Sequence, residues 1–152
     1  MAKFKFSLAA VERVRIQKEQ MALEEMSSYQ RIYQEKIAAK KDLLDKKQKA
    51  FEEKNSLSAQ ASSIIKFQLV EEYIDGLKQH IIRADQAIIR ARRFLDQAMR
   101  KYILARRERK MIDRLKEKAL EAFKLEQARA EQKQLDDLVT MRSRLSHEEE
   151  IA

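Results

Sequence analysis

Apolar residues return at every seventh position through the second half of the chain. Stepping by seven from Val70 meets Leu77, Ala84, Ala91, Ala98, Ala105, Ile112 and Ala119. Stepping from Ile74 meets Ile81, Ile88, Leu95 and Tyr102, then Arg109, Lys116 and Phe123. A seven-residue repeat keeps one stripe of an α-helix turned towards the same neighbour, so these columns read as the seam of a left-handed coiled coil. One column is mostly alanine and the other large, which predicts close approach of a partner helix.

The first half carries a weaker version of the pattern. Its clearest column is Ile16, Leu23, Gln30, Ile37, Leu44 and Phe51. A companion column begins with Met26 and Tyr33 but turns to Lys40 and Lys47, whose stems can pack while their heads reach water. Between the halves lies Asn55-Ser-Leu-Ser-Ala-Gln-Ala-Ser-Ser63. Serine and asparagine compete for backbone hydrogen bonds, so Asn55 is expected to close the first helix and Ser62 or Ser63 to cap the second. Ser7 is the expected first N-cap, with Phe6 and Val11 placed as a hydrophobic staple.

The predicted architecture is therefore all-α: a long antiparallel two-helix coiled-coil hairpin with a longer C-terminal helix. It forms a single coiled-coil domain over 1–152, with helices at about 7–54 and about 63–146 and a turn at about 55–62. At ~1.5 Å per residue the helices are roughly 70 Å and roughly 125 Å long. On those boundaries the first covers the second only to about residue 110. Ile112, Leu115, Ala119, Phe123, Leu135 and Leu138 are then expected to form a stripe that another surface must bury.

Composition excludes the competing fold classes. The 152 residues hold one Gly and no Pro, Cys or Trp. Compact folds draw on glycine and proline for frequent turns, so a sandwich or doubly wound sheet is excluded. Disorder does not fit a chain that is 44% hydrophobic with a fixed period. The apolar opening ends at Val11 before Glu12-Arg13, too short for a signal peptide, and no later stretch could span a bilayer. The expectation is a soluble, cytoplasmic protein.

Charge is unevenly spread. The formal net charge is +8, and residues 83–118 alone hold 13 Lys or Arg against 5 Asp or Glu. The excess is thus a belt from Arg83 to Lys118, ahead of an acidic end at Glu148-Glu-Glu150. Such a belt reads either as a solvated face or as a site for an anionic partner. No nucleic-acid module signature accompanies it, so nucleic acid is not the expected partner.

Nothing in the sequence carries catalysis. One glycine cannot build a phosphate-cradling loop, and neither nucleotide nor any other cofactor is expected. His80 and His147 are too distant along a helix to share a metal, and Asp136-Asp137 point in different directions. The chain is not expected to be an enzyme. Tyr29 and Tyr33 on the first helix and Tyr73, Leu77, His80 and Ala84 on the second lie similarly far from the turn, which predicts that folding brings them level. Tyr33 and Leu77 sit in seam columns; Tyr29, Tyr73 and His80 do not, and exposed aromatics suit recognition. Gly76 is mid-helix, where it costs about 1 kcal/mol relative to Ala. Either a close backbone approach or a tolerated weakness explains it.

Several of these stretches together resemble the flagellar export protein FliJ. They are Phe4-Lys-Phe6-x-Leu8-x-x-Val11, Tyr29-Gln-x-x-Tyr33, Tyr73-Ile-x-x-Leu77, Arg109-Lys-x-x-x-Arg-Leu-Lys-Glu-Lys118 and Glu131-Gln-Lys-x-Leu-Asp-Asp-Leu138. The resemblance implies a component of the type III flagellar export apparatus, similar to the central stalk of rotary ATPases. Proteins of that family enter the hexameric ring of the export ATPase FliI, promote its assembly, contact the export gate FlhA and bind export chaperones. It would sit at the cytoplasmic side of the inner membrane through those partners and be monomeric alone.

The gate-binding surface would map to Tyr29, Tyr33, Tyr73, Leu77, His80 and Ala84, with His80 offset from the family's histidine. The ATPase-ring surface is expected at Arg107, Lys110, Ile112, Leu115, Lys116, Phe123, Leu135 and Leu138, with Phe4 and Phe6 nearby. A virulence-system stalk, or a self-associating structural coiled coil, is the alternative.

Overall fold

A computed structural model describes residues 2–59 and 64–152. They form two long helices packed against each other, α1 (Ala9–Ala59) and α2 (Ile64–Ile151), with no strand among the described residues. The fold class is all-α with the longer helix second, as the periodicity predicts.

The helix ends differ from expectation. The Glu12 amide donates to the Leu8 carbonyl at 2.9 Å, so Leu8 rather than Ser7 holds the N-cap position, and the Ala9 amide donates back to Phe6 at 3.2 Å. Glu12 in the first turn complements the positive end of the helix dipole. At the other end α1 runs through Asn55 to Ala59, past the predicted stop near residue 54. The Ser58 hydroxyl donates to the Asn55 carbonyl at 2.9 Å, so the serine competes for the backbone without leaving the helix. The expected caps Ser62 and Ser63 lie outside the described residues. α2 continues past the predicted residue 146 to Ile151.

Contacts group the chain into a unit of Lys18–Ala105 and a unit of Met1–Gln17 with Arg106–Ala152. Within the first, Lys54 pairs with Glu71 at 2.9 Å, Lys40 with Asp85 at 2.6 Å and Glu25 with Lys101 at 3.6 Å. Each step back along α1 meets a step forward along α2, which makes the packing antiparallel. Its tightest cluster is Ala50, Ile74 and Leu77, flanked by Leu43, Phe51 and Val70. Ala91, Leu95 and Ala98 are buried further along. Leu77 is 4% exposed; burying such a side chain stabilises by roughly 1.5–3 kcal/mol. Both α2 columns are therefore the seam that the sequence indicates.

α1 presents a different stripe from the one expected. The covered positions are Met26, Tyr33, Lys40, Lys47 and Lys54, alternating with Ala22, Tyr29, Leu43, Ala50 and Leu57. Most of the apolar column stays at the edge, with Ile37 and Leu44 exposed. On α2, Asp85 and Glu71 stand beside the seam and meet Lys40 and Lys54. The lysine stems fill the seam while their ammonium groups pair at its rim. The column read as a weak companion is the seam itself.

In the second unit Glu12 pairs with Lys116 at 3.0 Å, Arg15 with Glu108, and the Gln127 amide donates to the Ala2 carbonyl at 3.1 Å. Ile112 is buried, and Phe123 packs on Phe4 with ring centroids 5.5 Å apart. This corrects the expectation that everything beyond residue 110 lacks a partner in the chain. α1 is longer than expected, and the N-terminal residues reach further along α2. From Ala128 to the end every residue is exposed.

Candidate functional site

Two surfaces stand out, one in each unit. The first surrounds the tyrosines. The Tyr29 ring stacks on Phe94, with centroids 5.7 Å apart and planes 10° from parallel. Tyr33 receives a hydrogen bond from Arg92 Nη1 at 3.5 Å, and the guanidinium carbon lies 5.7 Å from its ring centroid. Arg92 also pairs with Asp96 at 3.3 Å. The Tyr33 hydroxyl first, and the Asp96 carboxylate second, raise the Arg92 pKa above its ordinary value.

These contacts fix the level of the tyrosines, and it is not the predicted one. Tyr29 and Tyr33 face Phe94 and Arg92, whereas Leu77 packs with Ala50 and Leu43. Leu77 and Arg92 are fifteen residues apart on one helix, roughly 22 Å. The fold does not bring Tyr29 and Tyr33 level with Tyr73, Leu77, His80 and Ala84, because α1 runs on to Ala59 and the cross-helix pairs are shifted along α2. Leu77 is core, Ala84 is half-buried, and Tyr73 and His80 are exposed.

A shallow groove of about 310 Å³ adjoins the stacked pair, with Ile32, Ala87, Ala91 and Phe94 as its apolar lining and Lys36 and Arg90 beside it. Phe94 is about half exposed. Phe94 lies outside both seam columns, so the seven-residue repeat of the seam does not single it out. The signal was available: Phe94 falls on the same seven-residue column as Tyr73, His80 and Ala87.

The second surface is the end of α2. Leu135, Leu138, Val139, Met141 and Leu145 are all large, apolar and more than half exposed. Leu115 is also exposed; Arg107 and Lys110 are exposed and make no ion pair among the described residues. Lys116 is held by Glu12, and Phe123 by Phe4. Ile112 is buried and offers a partner no surface. Of the eight residues expected to meet the ATPase ring, these last three are thus engaged within the unit.

Part of the basic belt is neutralised locally. Asp85 meets Lys40, Asp96 meets Arg92, Glu108 meets Arg15 and Asp113 meets Arg109 at 2.5 Å. Two of these partners, Lys40 and Arg15, come from α1 and so take acids away from the belt. Arg83, Arg90, Arg93 and Arg100 make no ion pair among the described residues. In return Glu25 and Glu12 of α1 pair with Lys101 and Lys116, so cross-helix pairing leaves the belt's net charge at its sequence count. Among the described residues no helix is long and apolar enough to cross a membrane, and no cluster of three or more metal-ligating side chains occurs.

Residues 4–148 match the family model described as "Flagellar FliJ protein". No curated protein and no solved structure matches the chain.

Proposed function

The chain belongs to the flagellar FliJ family and is a component of the flagellar export apparatus; on that premise we propose that it is the non-catalytic central stalk of the export ATPase. In this reading the bare end of α2 enters the hexameric ATPase ring, promotes its assembly and raises its turnover. Unpaired cations such as Arg107 and Lys110 meet acidic residues at the ring's mouth. The aromatic face engages the export gate, with Tyr29, Tyr33, Tyr73 and His80 as contacts and Phe94 and Ile32 added to them, and the chain also receives export chaperones. Its place is the cytoplasmic side of the inner membrane, reached through these partners.

The observation that carries the reading is the fully exposed helical end after Ala128, with a ridge at Leu135, Leu138 and Leu145. A ring's pore offers the enclosing surface such a ridge lacks within its own unit. Regulation then means binding some states of the ATPase better than others, which shifts their populations without chemistry in this chain.

The test is ATP hydrolysis by the purified export ATPase over a range of stalk concentrations. Addition of the wild-type chain is expected to raise the rate, and the Leu135→Asp/Leu138→Asp variant to lose most of that gain while keeping its helicity. An unchanged rate with the wild-type chain at every concentration and salt would remove the stalk reading's main support.

A further inference from the structure

The column Leu23, Ile37, Leu44 and Phe51, largely left outside the seam, has a counterpart on α2. Ile82, Ile89 and Ile103 also lie on a single seven-residue column, interrupted by Asp96, and are 51%, 54% and 45% exposed. The pairs Lys40–Asp85 and Tyr33–Arg92 set the level of the two columns and show that they flank the same side of the seam. Leu44 therefore stands level with Ile82, Ile37 with Ile89, and Leu23 with Ile103. Gln30 and Asp96 form one polar rung between them. At the end nearest the turn, Phe51 and Ile74 line a groove of about 180 Å³ with Lys54, Glu71, Asp75 and Lys78. Tyr29 and Phe94 are on the opposite side of the seam, so this surface is separate from the aromatic face.

From this juxtaposition we propose that the ladder is a docking groove for a third helix, an amphipathic helix of a partner protein whose apolar ridge is flanked by Asp or Glu. The spacing selects a helix. Successive rungs are seven residues, roughly 10 Å, apart, which is the repeat of a helix in a coiled coil; a strand places same-face residues roughly 7 Å apart. Charge selects the flanks. On the α2 side the acids beside the groove are already paired, Asp85 with Lys40, Asp96 with Arg92 and Asp75 with Lys78 at 4.0 Å. Glu24 and Asp45 on the α1 side make no ion pair among the described residues. Lys41 next to Leu44, Arg93 next to Ile89 and Arg100 next to Ile103 make no ion pair among the described residues. The free cations Arg93 and Arg100 line the α2 side of the ladder, which favours a partner helix flanked by acids over one flanked by cations.

A labelled 28-residue synthetic peptide tests the groove, with Leu at the two seam positions of each heptad and Glu flanking them; the glutamates keep it from self-associating. Fluorescence anisotropy with the full chain is expected to show saturable binding that weakens as salt rises. Ile37→Asp/Ile89→Asp should weaken binding at least tenfold, and Arg93→Glu/Arg100→Glu several-fold with a smaller salt dependence. If the first variant loses helicity, Leu44→Ser/Ile82→Ser replaces it with the same expectation. A peptide with Lys in place of Glu should bind far more weakly. The proposal is overturned by no binding of the Glu peptide, or by equal binding to wild type and the ladder variants. It is equally overturned if sedimentation shows a wild-type dimer that Ile37→Asp/Ile89→Asp dissociates, since the groove would then hold a second copy. Neither gate nor ATPase enters the assay, so its outcome is independent of the stalk reading.

Discussion

The two helices solve the same packing problem with different residues. α2 buries its apolar columns, with Ile74, Leu77, Ala91, Leu95, Ala98 and Ile112 inside. α1 faces it with tyrosines, lysine stems and small residues, and leaves Ile37 and Leu44 exposed. Apolar pattern sets the seam where both sides of it are apolar. Where ion pairs can form across the rim, a charged column with long stems can take the seam, and the displaced apolar column becomes outer surface available for a partner.

Substitutions at the two kinds of position should separate this contrast, beginning with the core. Leu77→Ala removes a side chain packed on Ala50 and Ile74 and is expected to cost about 2–5 kcal/mol in urea unfolding. Ala98 is 2% exposed; Ala98→Leu should overpack the α1 approach and cost about 1–3 kcal/mol. An Ala98→Leu chain as stable as wild type would mean that the helices are not in close contact there.

Smaller effects are expected away from the seam. A Cβ at Gly76 would meet nothing within 4 Å, so no backbone approach among the described residues explains the glycine. Gly76→Ala should stabilise by about 0.5–1 kcal/mol through helix propensity and chain entropy, read as a rise in thermal midpoint. The Lys40–Asp85 pair, with side chains 34% and 47% exposed, should show a coupling below about 1 kcal/mol in a double-mutant cycle, shrinking with salt. Ile37→Ser and Leu44→Ser, on the outer column, should each stay within about 0.5 kcal/mol of wild type.

The legibility of the fold follows the same divide. Both α2 columns could be read directly, because a run of alanines beside a run of large apolar residues at seven-residue steps has one reading. α1 carries two columns, and local periodicity favours the more apolar one; the acids Glu71 and Asp85 that match the lysine column lie on the other helix, beyond the reach of local periodicity. Asn55 and Ser58 signal a stop by composition, yet α1 runs on to Ala59, with the Ser58 hydroxyl bonded to the carbonyl three residues earlier. The longer α1 goes with a shifted cross-helix level, which separates Tyr29 from Tyr73 and gives Phe123 a partner in Phe4. The exposed ridge at Leu135 and Leu138 is legible from its apolar residues at helical spacing.

Absence of cysteine makes the central claim, which column of α1 faces α2, open to thiol labelling. Single-cysteine variants Ala50→Cys and Leu44→Cys would be compared for maleimide labelling rates under native conditions. Ala50→Cys is expected to react at least a hundredfold more slowly than in denaturant, and Leu44→Cys within about tenfold of its denatured rate, reflecting 3% and 43% exposure at the two sites. A protected Leu44→Cys beside a reactive Ala50→Cys would contradict the account and return the apolar column to the seam.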